Sequence, residues 1–201
     1  VPNNMAVILA GDIDAKTALL VLERSFGALE PRALEQPAAG TLAPLTGRVA
    51  SEVVGEGEQS VALAWQTVPY GHPDEPVMAV LDYLMDNSTS GLLNVELELS
   101  QKVPDAGSSN SHLHEAGAYT MRAKAREGQA LEEVEALLLG VLEQLKAGAF
   151  TQQDIDAVVL SQDINDKRRL EQPGFRVGKI ASSFINHKSW ASVLERDRRL
   201  R

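Results

Sequence analysis

His112-Leu113-His114-Glu115 is the one cluster in this 201-residue chain that carries metal-ligand residue types. On a strand, alternation would put His112 and His114 on one face and Glu115 on the other. Two imidazoles fall short of a zinc site, which needs a third protein ligand and partners that fix the rings. Ordinary surface histidines are therefore the preferred reading. Ser108, Ser109 and Ser111 precede the pair. A serine nucleophile needs a base within reach, an orienting acid and an oxyanion site, and no spacing here supplies all three, so a polar turn accounts for them. Gly55-Glu56-Gly57-Glu58 lacks the Lys and Ser/Thr of a phosphate loop, and its carboxylates would repel phosphate, so it reads as a turn. Arg168, Arg169, Arg196, Arg198, Arg199 and Arg201 read as a solvated helical face with cations near helix ends, where the dipole favours them.

Composition removes further classes. The net charge of -9 opposes the positive field of a nucleic-acid binder. With no cysteine there is no disulfide framework, thiolate metal site or thiol nucleophile. No apolar run approaches the roughly 20 residues needed to span a bilayer. The length suits one sizeable domain.

Periodicity predicts the elements that would position any site. Ala6–Ala10 is a continuous apolar run, expected as a strand buried on both faces. Gly11 turns the chain, and Asp12 or Asp14 can cap a helix whose apolar face holds Leu19, Leu22, Phe26 and Leu29, with Gly27 expected in a left-handed conformation at its end. From Glu30 to Gly47 an irregular connection follows. Strands are expected over Arg48–Val54 and Ser60–Val68, joined by the Gly55–Glu58 turn. A helix capped near Asp74 then carries Val77, Leu81 and Leu84 to about Asn87. Ser88–Gly91 is a further possible cap, but Leu93, Val95, Leu97 and Leu99 alternate as in a strand. Val103–Glu115 and Ala118–Ala125 are expected as paired strands. A helix with Val134, Leu137, Leu138, Val141, Leu142 and Leu145 on its stripe stops at Gly148. Thr151-Gln152-Gln153-Asp154 opens a long helix to about Leu170, Gln172-Pro173-Gly174 interrupts, and a further helix carries Val177, Ile180, Ala181 and Phe184. Ser189 caps a last one with Trp190, Val193 and Leu194. Trp65, Phe150, Phe175, Phe184 and Trp190 are expected in core or interdomain packing.

The class expected is α+β: a mixed, largely antiparallel sheet covered by helices on one side, with a helical C-terminal part. One domain is expected over residues 1–201, with sheet and helices in 1–149 and a helical portion in 150–201. Both ends, a Pro-Asn-Asn turn without an initiator Met and the charged run from Val193 to Arg201, read as interior to a longer chain.

The order Val1-Pro2-Asn3-Asn4-Met5, apolar Ala6–Ala10, Gly11-Asp12, amphipathic stretch and Phe26-Gly27 resembles the second α/β domain of insulinase/pitrilysin-like zinc metallopeptidases. Asp74–Leu84, Ser90-Gly91-Leu92 in place of Ser-Arg-Leu, and Lys167-Arg168-Arg169-Leu170 through Phe184-Ile185-Asn186 and Trp190 extend the resemblance along the chain. It implies that Leu93–Leu99 belongs to a helix, against the alternation, and that reading is adopted. In the family zinc is held in another domain by H-x-x-E-H and a more distant Glu, and H-x-x-E-H is absent here. Some members place an Arg and a Tyr after Ser-Arg-Leu, whereas Leu97–Asp105 contains neither. The resemblance therefore implies no catalytic, cofactor-binding or metal residue in this chain. Zinc is expected in the parent chain, with the zinc-bearing domain and, in the intact protein, a peptide substrate as partners. The implied function is a non-catalytic domain that packs on the zinc domain and helps form a peptide-enclosing chamber, the alternative being an inactive assembly subunit. The location would be periplasmic or extracellular if the parent carries a leader.

Overall fold

The computed structural model describes residues 1–34, 40 and 42–193. Among them the chain divides into two compact units, one taking 1–34, 40 and 162–193 and the other 42–161. Leu194 and the arginines of the terminal run lie outside the described residues.

The larger unit is built on three antiparallel strands, β1 (Ser60–Thr67), β2 (Ala106–His112) and β3 (Gly117–Lys124), in the order β1-β3-β2. Alternation sends Val61, Leu63 and Trp65 of β1 to the same face as Ala123, Met121 and Tyr119, their partners on β3. Trp65 and Tyr119 meet there with ring centroids 6.3 Å apart. Exposed Ala62 and Ala64 occupy the opposite face. The inner face is covered by two helices, α1 (Glu75–Met85) and α2 (Leu131–Lys146), and by a π-helical segment, Asn94–Leu99. Val134, Leu138, Val141 and Leu145 recur at helical spacing and bury one stripe of α2, while Met85, Leu93 and Leu97 complete the same core around Met121. The α+β class and the one-sided helical cover are as expected, and the sheet is wholly antiparallel among the described residues.

Close approach fixes the sheet's open end. A Cβ on Gly117 would collide with the Val68 carbonyl and the Thr67 hydroxyl, so β3 can begin there only without a side chain. After α2, Gly148 adopts φ +77°, the left-handed stop its position predicted. Helix α3 (Gln152–Leu170) opens on a reciprocal cap: the Thr151 amide donates to Asp154 Oδ2 at 2.7 Å, and the Asp154 amide donates to Thr151 Oγ1 at 3.3 Å.

The smaller unit holds helix α4 (Ala15–Phe26), the later part of α3, and α5 (Pro173–Ile185). Asp14 caps α4 by accepting from the Thr17 amide at 2.7 Å. Thr17's hydroxyl, and then its amide, hold the Asp14 carboxyl below its ordinary value. Asn3 pairs with both backbone groups of Arg32, at 2.9 and 3.3 Å. Arg169 lies over the Phe175 ring, 5.6 Å from its centroid. Ser189 Oγ accepts from the Ser192 amide at 3.1 Å, the cap expected for the last helix. Ser183 and Val193 are the buried residues of this unit among those described.

Several expectations are corrected. Ala6–Ala10 forms no strand, and Val7 and Leu9 are exposed. A strand needs a ladder partner, and every strand of the described sheet comes from residues 60–124. Arg48–Val54 is likewise unpaired, so the Gly55–Glu58 turn closes no hairpin. The Gln66 side chain reaches Leu45 N and Ala43 O at 3.2 and 3.3 Å, and Arg48 is tied to Glu135 at 2.6 and 3.0 Å, so side chains hold this connection where a ladder was expected. Gly27 sits at φ -65°, in the right-handed region. Val77 faces solvent, and Met78 takes its place against the core. The serines 108, 109 and 111 lie in β2, where alternation sets their direction. Phe150, Phe184 and Trp190 are at least a third exposed.

Leu138 is fully buried at the centre of the α2 stripe. Leu138→Ala is expected to cost about 3 kcal/mol, read from the urea midpoint at constant m-value.

Candidate functional site

The polar chemistry of the larger unit gathers along β2. Lys124 N donates to Asp105 O at 2.9 Å and Leu113 N to Ala116 O at 2.8 Å, which places the odd-numbered residues of this strand in the ladder to β3. Ala106, Ser108 and Asn110 therefore turn their amides to the free edge. Each finds a carboxylate. Ala106 N donates to Glu98 Oε1 at 2.9 Å, Ser108 N to Asp86 Oδ2 at 3.2 Å, and Asn110 N to Asp82. Three acidic side chains thus stand where a fourth strand would supply carbonyls, and they leave no row of open donors for a foreign strand.

Each carboxylate is itself positioned. Asp82 lies in the last turn of α1 and Asp86 follows its end, and Ser108 Oγ donates to Asp82 Oδ1 at 2.6 Å. Gly107 lets α1 come close, since a Cβ there would lie 3.0 Å from Asp86 Oδ2. Asn94 Nδ2 holds Glu98 Oε2 at 2.9 Å. The π turn brings Lys102 N to the carbonyl of Leu97, five residues back, at 2.8 Å. Upstream, Asn87 Oδ1 accepts from the amides of Thr89, Ser90 and Gly91 at 3.0, 2.7 and 3.1 Å. Asn87 does the capping work that the sequence suggested for Ser88–Gly91.

Burial, with the neighbouring Asp86 charge, raises the Asp82 carboxyl above its ordinary value, against the lowering effect of the bonds from Ser108 and Asn110. Burial, ahead of the charges of Asp82 and Asp86, likewise pushes the Tyr119 phenol up. Ser108 commits its proton to Asp82 in the geometry present, and Tyr119 Oη has no protein hydrogen bond.

The histidine pair separates. His112 ends β2 and makes hydrogen bonds to Val68 O at 2.7 Å and Asn110 Nδ2 at 2.8 Å, while His114 lies beyond the strand and is exposed. Among the described residues no three His, Asp or Glu side chains come together to hold a metal ion. Both His112 nitrogens being engaged, the residues present do not fit zinc. Ser108 is bonded directly to the Asp82 carboxylate, with no imidazole between them. Arg168 and Arg169 fall in the last turn of α3, as a cationic helix end should.

The architecture is α+β, with no metal-binding cluster among the described residues, and comparison with known proteins gives its family. Residues 1–161 match the family described as the peptidase M16 inactive domain, and the chain belongs to that family. It is 23% identical over 193 residues to the zinc protease PqqE of Helicobacter pylori, covering 92% of this chain and 43% of that protein. A protease from Helicobacter pylori has the same fold, with TM-score 0.78 and 18% identity over 94% of this chain and 47% of that one. The first half of the periplasmic protease PqqL from Escherichia coli matches with TM-score 0.62 and 18% identity, covering 94% of this chain and 43% of that one. The chain thus spans less than half the length of these relatives. No helix among the described residues is long and apolar enough to cross a membrane.

Glu98→Ala strands the Ala106 amide and is expected to lower stability by about 1–3 kcal/mol in urea unfolding. Asp82 acts in the opposite sense. Its folded-state pKa is raised, so its contribution is full below the unfolded value and is lost as pH rises through the folded one. Asp82→Asn, which keeps an acceptor and removes the charge, should raise Tm at pH 7, with the gain over wild type shrinking towards pH 3.

Proposed function

We propose that this chain is the non-catalytic domain of an insulinase-like zinc metalloendopeptidase, packing on the zinc-bearing domain and helping to wall the chamber that encloses peptides. The observation that carries this reading is membership in a family of inactive domains by a chain that spans 43% of a zinc protease. The lack of a metal-binding group among the described residues agrees with it. The apolar face of α4 also supports it, since Leu19 and Phe26, two turns apart on one side of the helix, remain 57% and 42% exposed. Peptide hydrolysis by a zinc-activated water belongs, on this reading, to another part of the parent protein. This chain supplies shape and confinement. The whole chain is proposed to behave as one α+β domain, and a periplasmic location is proposed from its likeness to the periplasmic protease PqqL of Escherichia coli.

The test is reconstitution. The chain alone should bind no zinc by elemental analysis and cleave no peptide, while co-expression with the H-x-x-E-H domain of its parent should give a stable complex with chelator-sensitive peptidase activity. Chelator-sensitive hydrolysis by this chain alone would overturn the proposal. A stable complex without activity, together with degenerate residues at the zinc motif, would instead identify an assembly subunit.

A further inference from the structure

His112 spans the open end of the sheet from β2 over Gly117 of β3 to the carbonyl that follows β1. A carbonyl oxygen only accepts, so His112 Nδ1, 2.7 Å from Val68 O, carries a hydrogen. The other ring nitrogen, Nε2, lies 2.8 Å from Asn110 Nδ2, which only donates. In this arrangement Nε2 must be a lone pair and the ring neutral. The other end of the same amide, Asn110 Oδ1, is buried without a hydrogen-bond partner.

Adding one proton to Nε2 sets donor against donor. Rotating the Asn110 amide by half a turn removes the conflict, because the unpartnered Oδ1 then faces Nε2–H. The pair therefore has two self-consistent states that differ by one proton and one amide rotation. The rotated Nδ2 turns into a face that carries two further buried oxygens without partners, Thr67 Oγ1 and Tyr119 Oη. In the charged state the bond to Val68 O becomes charge-assisted, which shortens and strengthens it.

We propose that His112 and Asn110 form a proton-driven amide switch that tightens the clamp between β2 and the end of β1 as pH falls. The ionisable groups around it are few. Ser60–Thr67 carries none, and on the sheet's inner face β3 offers Tyr119. Helix α1 contributes Asp82, which accepts from Ser108 Oγ and from the Asn110 backbone amide, and Asp86 at its end accepts from Ser108 N. The connection after β1 holds Tyr70, His72, Asp74 and Glu75, with Glu75 bonded to Gly71 N at 2.6 Å and His72 3.8 Å from Asp74. The turn after β2 holds His114 and Glu115, and Arg122 and Lys124 alternate to the other face of β3.

The switch is tested by NMR titration of the 201-residue chain, following the His112 ring and the Asn110 side-chain amide together. The Asn110 cross-peaks should move with the same midpoint as the His112 ring. In Asn110→Asp, where the partner can only accept, the His112 midpoint should rise by about one pH unit or more. In His112→Gln the Asn110 response should vanish. Asn110 cross-peaks that stay fixed while His112 titrates, a His112 ring that remains neutral until acid unfolding, or an unchanged midpoint in folded Asn110→Asp would each overturn the proposal. The wild-type titration decides the matter even if both variants fail to fold.

Discussion

An edge strand must do something with the amides it cannot pair, and in this protein that requirement organises the larger unit. β2 hands three of its outward N–H groups to Glu98, Asp86 and Asp82. Two of these acids come from the last turns of α1 and the third from the π-helical segment, so closing the edge also fixes where both elements lie. Their apolar residues Met85, Leu93 and Leu97 are thereby delivered to the core beneath Met121. The arrangement has a tension within it. Carboxylates are strong acceptors for edge amides, yet partial burial makes the Asp82 charge unfavourable, and Ser108 and Asn110 offset only part of that. Gly107 belongs to the same device, because α1 could not otherwise bring Asp86 against the strand.

The smaller unit is organised differently. Asp14 caps α4, and α5 opens on Pro173, which lacks one of the amide donors a helix start leaves unpaired, but among the described residues few side chains of this unit are buried. Local propensity and capping form such helices, and burial of an amphipathic face is what ordinarily stabilises them. α4 leaves that face largely exposed.

Kinship with zinc proteases is accompanied by no metal-binding group among the described residues. The residues that look suited to metal are engaged elsewhere: His112 by Val68 and Asn110, and Asp82, Asp86 and Glu98 by the edge amides of β2. The acids close a strand and the histidine holds its end.

Much of this protein was legible in its residues. The β1 alternation, the α2 stripe ending at Gly148, the Thr151–Asp154 cap, the break at Pro173, the lack of H-x-x-E-H and the family resemblance are all local signals. Each depends on neighbours in the chain, whose geometry is fixed by backbone period and capping chemistry. Other features were not legible. Ala6–Ala10 and Arg48–Val54 have strand-like composition, but a strand exists only with a partner, and pairing is a non-local choice. Leu93–Leu99 alternates like a strand, and the family resemblance, not the spacing, implied the helix it forms, in which Leu93 and Leu97 meet the core while Glu98 meets Ala106. Nothing in sequence spacing joins Asp82, Asp86 and Glu98 to Ala106, Ser108 and Asn110, or His112 to Val68. The sequence by itself determined which segments carry helical or strand periodicity and that no zinc motif is present, whereas the tertiary structure alone decided which polar groups meet, since hydrogen bonds between distant segments depend on how the chain packs and not on its local order.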